Sequence, residues 1–146
     1  MNVATKAFGI IDVDERQKIF IPQGLFGFEN LKDYVLLDAE QDPFYWLQSA
    51  DDQKIAFILI DPVVFRSDYK VIVSSDEIAD IGLSSMEGAL IFSVVTALGD
   101  GKVTANLQGP LIINRDTKVG KQIIQHDPRW TTKHDIVAEL AAAGGR

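Results

Sequence analysis

Residues 89–107 read ALIFSVVTALGDGKVTANL, and the four residues GDGK at 99–102 decide the fold class. Two glycines around an aspartate tolerate the left-handed backbone of a tight turn, and β-branched and aromatic residues stand on either side. Two strands joined this closely pair antiparallel. The same alternation of short β-rich runs and turn residues extends outward along the chain. Strands are predicted over 3–11, 17–21, 34–39, 45–49, 55–61, 69–73, 89–97, 103–107, 110–114 and 119–125, with cores such as YVLL, IAFILI, KVIV and PLIIN. DVDER, DAEQDP, ADDQ and NRDTK supply the turns between them. Closely spaced strands with few helices predict a mostly β, single-domain, antiparallel barrel- or sandwich-like fold over residues 1–146.

One short internal helix and one C-terminal helix complete that fold. SSDEIADIGL at 74–83 opens at a serine cap with acids in its first turn, and Gly82 stops it. TTKHDIVAELAAAGG at 131–145 sets Thr132 three residues ahead of Asp135, a variant of the capping box. Ile136, Val137, Leu140 and Ala143 then form an apolar stripe that Gly144 and Gly145 end. Residues 141–146 read as a frayed, peripheral tail. No repeat, low-complexity run or linker divides the chain.

Composition narrows the function classes. The 47% apolar and 24% charged content is that of an ordinary soluble domain. With no cysteine there is no disulfide, thiolate metal site or cysteine nucleophile. The start, MNVATKAFGIIDVDER, lacks a signal-peptide core, and IAFILI at 55–60 is far too short to span a bilayer, so a cytoplasmic protein away from membranes is expected. The net charge of −7 divides into −6 over residues 1–62, −3 over 63–108 and +2 over 109–146. An acidic body repels nucleic acid and favours basic partners, although solubility alone also accounts for it.

Catalytic chemistry finds no foothold. His126 and His134 each precede an aspartate, but neither spacing matches a zinc signature, and His134 falls in the first turn of the predicted helix as a surface side chain. Asp51–Asp52 sits in a turn, and Asp61 and Asp127 stand before prolines, all ordinary uses. No serine occupies a nucleophile elbow, and GLFGF lacks the context of a phosphate loop. No catalytic residue, cofactor or metal site is expected.

IPQGLFGFEN at 21–30 is the segment left to explain. It crowds Leu25, Phe26 and Phe28 around two glycines at a spacing that suits neither strand nor helix. Phe28 is expected in the core, with Leu25 or Phe26 partly exposed. Either the segment is a loop packed on the core, or it is a surface for gripping something else.

Taken in order, IPQGLFGFE at 21–29, DPFYWLQS at 42–49, FILIDP at 57–62, TANLQGPLIIN at 104–114 and GKQIIQHDPRW at 120–130 resemble the flagellar assembly factor FliW family over residues 20–136. The ordered set is specific where any one segment would be weak. Phe26 stands where family members often carry proline, and Trp46 is a bulky choice beside Phe44. The resemblance implies a non-catalytic, mostly β protein without a cofactor and with two protein partners. One is flagellin, bound in the cytoplasm before export. The other is the RNA-binding translational regulator CsrA, which represses flagellin synthesis and is antagonised by the freed factor.

Leu25 and Phe26 are then candidate contact residues, together with Asn106, Gln108 and Pro110 of ANLQGPLIIN. Asn106 and Gln108 alternate with Leu107 as on a half-exposed strand, and Pro110, which cannot donate to a ladder, marks an edge or a bulge. Such an edge accepts a partner's extended segment by β-augmentation. A solvated hairpin is the plain alternative, and the basic stretch over 118–133 reads as a solvated face. Two other functions compete: a small-molecule-binding β-barrel with residues 21–30 as a lid, and a hydrolase built on carboxylates that meet only in space.

Overall fold

The computed structural model describes residues 1–144. In chain order these form β1 (Asn2–Thr5), β2 (Gly9–Asp12), β3 (Lys18–Phe20), β4 (Asp33–Asp38), β5 (Tyr45–Ser49), β6 (Ala56–Ile60), α1 (Ser75–Ala79), β7 (Ala89–Leu98), β8 (Lys102–Ala105), β9 (Leu111–Asn114), β10 (Gly120–Gln122), β11 (His134–Asp135) and α2 (Ile136–Gly144). Gly145 and Arg146, from the tail read as frayed, lie outside the described residues. The fold is mostly β, and every ladder between strands is antiparallel.

β1 pairs only with β2, and the other nine strands share one sheet in the order β10-β9-β7-β6-β5-β4-β3, with β8 joining β7 to β11. The hairpin at GDGK is present, Val95 to Leu98 pairing with Ala105 to Lys102. Gly101 takes the left-handed φ of 86° that the turn requires, and the Asp100 carboxylate accepts from the Lys102 N–H at 3.0 Å. The sheet curls without closing into a barrel. Its far ends meet at one bridge, Phe20 to Val119, where the Phe20 N–H donates to the Lys118 carbonyl at 3.0 Å.

Strand alternation sends side chains to two faces, and both are covered. The concave face carries Tyr34, Leu47, Leu59, Phe92, Leu111 and Ile113, closed over by Ile19, Ile21 and Leu25. Three clusters cover the convex face. Val3 and Val13 of the N-terminal hairpin lie against Val35 and Leu37. Phe65, Tyr69, Trp130 and Ile136 lie against Ile60 and Val95. Ile78, Ile81, Leu83 and Ile123 lie against Ile112. β9 is buried along its whole length, which is why LII at 111–113 reads as an apolar run rather than an alternating one.

Three expectations are corrected. Residues 3–11 are a hairpin, not one strand: the Thr5 hydroxyl accepts from the Phe8 N–H at 2.9 Å and donates to the Gly9 carbonyl at 2.6 Å, turning the chain at Gly9. Residues 69–73 join no ladder, because the Gln125 side chain takes the place of a partner strand. Its amide donates to the Lys70 carbonyl at 2.8 Å and accepts from the Ile72 N–H at 3.1 Å. The C-terminal helix begins only at Ile136: His134 and Asp135 pair with Ala105 and Thr104 of β8, and the Asp135 carboxylate caps the helix through the Ala138 N–H at 3.0 Å.

Candidate protein-binding surface

Residues 21–30 make two successive tight turns. The Gly24 N–H donates to the Ile21 carbonyl at 2.9 Å, and the Phe28 N–H to the Leu25 carbonyl at 2.8 Å. Gly24 has φ of 66° and Gly27 of 87°. A Cβ at Gly24 would stand 2.5 Å from the Phe28 carbonyl oxygen, so glycine is required there both by handedness and by space. The turns point Leu25 inward and the two phenylalanines outward. Leu25, read as a candidate contact, is 2% exposed in the concave core. Phe28, expected in the core, is 36% exposed and lies edge-on to Phe57 with ring centroids 5.0 Å apart, because Leu25 already fills the interior beneath it. Phe26 is 51% exposed, as the sequence suggested for one of the pair. Through Leu25 the segment packs onto the concave core.

The stretch 106–110 is a bulge. From Val95 to Phe92 the chain steps back three residues on β7, while the facing strand advances six from Ala105 to Leu111. The backbone N–H groups of residues 106–109 are all engaged. Asn106 donates its N–H to the Val94 carbonyl at 3.0 Å, Leu107 and Gln108 donate theirs to the Thr131 carbonyl at 3.0 and 3.2 Å, and the Gly109 N–H meets the Asn106 carboxamide oxygen at 2.8 Å. With these donors engaged, residues 106–109 have no backbone N–H to offer a partner strand. Pro110 is buried and Gln108 is exposed.

The two segments come together through Gln122 of β10. Its side-chain oxygen accepts from the Phe26 N–H at 2.9 Å, and its amide donates to the Gly109 carbonyl at 2.8 Å. Leu25, Phe26, Phe57, Val94, Leu98, Asn106 and Gln122 thus line one groove of about 310 Å³. It opens where the concave face reaches the surface, beyond the last β6–β7 pair of Ile58 with Val95. Of the predicted contacts, Phe26 and Asn106 meet here over the edge of Leu25; Gln108 and Pro110 do not line the groove. Phe57, Leu98 and Gln122 escaped the sequence reading. Only the position of Leu98 beside the GDGK turn, past the reach of β6, hinted at its exposure.

No group of three or more His, Asp or Glu side chains among the described residues is placed to hold a metal. Two phenols are strongly shifted. Burial, aided by the nearby Asp51 carboxylate, pushes Tyr34 to about 12, and burial pushes Tyr69 to about 12 while its hydroxyl donates to the Leu107 carbonyl at 2.7 Å. In the unfolded chain both ionise at the ordinary value of 10.0. Their contribution to stability is therefore complete below pH 10 and is lost as pH climbs toward 12. Tyrosinate absorbance and circular dichroism recorded together should show these two phenols ionising only as the fold is lost. Their titration in a fully folded chain near pH 10 would contradict the assignment.

The family profile described as FliW protein matches residues 2–136. A flagellar assembly factor FliW of Treponema denticola is 46% identical over 145 residues, covering 99% of both chains. That of Treponema pallidum is 44% identical over 142 residues, covering 97% of this chain and 95% of its own. A crystal structure of the flagellar assembly factor FliW superposes with a TM-score of 0.85 at 31% identity, covering 93% of this chain and 96% of that one. With a whole-chain profile match, close relatives and the same fold, this chain belongs to the FliW family of flagellar assembly factors.

Proposed function

We propose that this chain acts as a single-domain, non-enzymatic binding protein of the cytoplasm. It holds flagellin before export and, when free, binds the translational regulator CsrA and relieves repression of flagellin synthesis. Family membership supports the flagellar role. The observation that carries partner binding is the groove at which apolar side chains of the concave face meet solvent, with Phe26 51% and Leu98 40% exposed. Surface of that kind is useful to a protein that buries it against another chain.

Calorimetry tests the reading. Phe26→Ala should leave the melting temperature almost unchanged and weaken flagellin by at least about fivefold, as for a contact residue that matters in an interface. Saturating the protein with the flagellin C-terminal segment should then abolish or reduce binding of the regulator, and linkage makes that effect reciprocal. A ternary complex with unaltered affinities would defeat the switching mechanism. Failure to bind either protein would defeat the function.

A further inference from the structure

The convex face of the sheet carries a second trough, directly behind the seam where β6 and β7 part. Trp46 of β5, Ile58 of β6, Val95 and Ala97 of β7 and Val103 of β8 form its floor, with Phe8 and Phe44 as walls and a volume of about 360 Å³. It lies between the cluster that the N-terminal hairpin makes with β4 and the cluster around Trp130, and neither fills it. The Phe44 N–H donates to the Gln41 carbonyl at 3.0 Å and the Ala39 N–H to the Phe44 carbonyl at 3.2 Å, a turn that holds Glu40 and Gln41 at the rim.

Glu40 is the one ionisable side chain in this lining. Among the described residues, neither it nor the flanking exposed Asp38 and Asp42 has an ion pair or a side-chain hydrogen bond. The groove on the opposite face has the reverse polarity, because Lys133 is its one ionisable lining group. A carboxylate beside indole and phenyl rings is the setting that favours a guanidinium or ammonium, which bonds the carboxylate and rests on the ring faces.

From this charge complementarity we infer that the Trp46–Phe44–Glu40 trough is a docking site for a protein segment that places one arginine or lysine among apolar residues. The cation meets Glu40 and the apolar neighbours cover Ile58, Ala97 and Val103. This second surface rests on the proposed function only in taking the partner to be a protein, and it is separate from the Phe26 groove. Both surfaces flank the ends of β6 and β7 that do not pair with each other.

The test uses a capped peptide of leucines around one arginine, with citrulline, its uncharged isostere, as control. Binding to the full chain is followed by calorimetry and by backbone amide shifts. The arginine peptide should bind about tenfold tighter than the citrulline peptide, the expected worth of one hydrogen bond to a charged group. Glu40→Gln should erase that preference. Ala97→Trp, with folding verified by circular dichroism, should block both peptides, and Phe26→Ala should leave the preference intact. Equal binding of the two peptides, a preference that survives Glu40→Gln, or no binding at millimolar peptide would each overturn the inference. If the arginine preference holds while flagellin and the regulator both fail to bind, the trough stands and the proposed function falls.

Discussion

Replacing Trp130 with alanine is expected to cost about 3–5 kcal/mol of folding stability, the range for removing a buried large aromatic. Trp130 is 2% exposed and packs with Phe65, Tyr69 and Ile136 in one cluster of the convex cover. Tyr69 stands edge-on to it with centroids 4.8 Å apart, and the Arg66 and Arg129 guanidinium groups each lie 5.0 Å from its ring. Beneath that stack, Arg66 bonds Asp68 at 2.8 Å and Glu139 at 2.7 Å, and His134 bonds the same Glu139 oxygen at 3.0 Å. His134 is therefore no surface residue near a cap. Its side chain is 10% exposed, and its second nitrogen accepts from the Thr131 N–H at 2.9 Å. Losing the indole leaves a cavity and lets water reach a charged network that binds α2 to the sheet. Urea unfolding with an unchanged m-value should show the loss, and Trp130→Phe should recover much of it. A cost under about 1 kcal/mol, the scale of an ordinary surface change, would mean that α2 docks without this stack.

Leu25→Ala is expected to cost about 2–5 kcal/mol, the range for a buried leucine, whereas Phe28→Ala should cost about 1 kcal/mol, the worth of one aromatic pair. Leu25 is buried in the same close-packed cluster as Ile21, Tyr34 and Leu59, where truncation leaves a cavity. Phe28 touches Phe57 from the solvent side. Thermal melts of the two variants side by side provide the check. The opposite ranking would mean that the turn around Gly27 faces the other way, and the groove as described would not exist.

What the sequence disclosed depended on how local the cause was. β5 was read to the residue, and β9 to within one, because β-branching and flanking turns act over a few positions. The GDGK turn acts through its own glycine and aspartate. Elements whose cause lies far away were misread. Residues 69–73 have strand composition, but their backbone partner is the side chain of a glutamine more than fifty residues further along the chain. β11 consists of two residues whose only reason to extend is the bare edge of β8. That one of Leu25 and Phe26 is exposed was legible, though not which, as was Pro110 as an irregularity in its strand. Gln122, which ties both segments together across 96 residues of separation from Phe26, carried no signal at all, since one glutamine in a strand is unremarkable by composition. Phe28 was placed in the core, where Leu25 stands, because hydrophobicity ranks the two nearly alike and only the handedness of the two glycines decides which one turns inward.

The ten-residue span of β7 has a consequence for how the chain is made. One strand completes β6 on one side and β8 and β9 on the other, with residues 61–88 intervening before it is synthesised. At about 5–20 residues per second of translation, β6 waits seconds for its neighbour, its apolar edge uncovered meanwhile. The bridge from Phe20 to Val119 waits longer still. Contacts this distant along the chain slow folding, since the loop must close before the pairing rewards it. The N-terminal half therefore gains its free energy of folding late, when the last third of the polypeptide emerges.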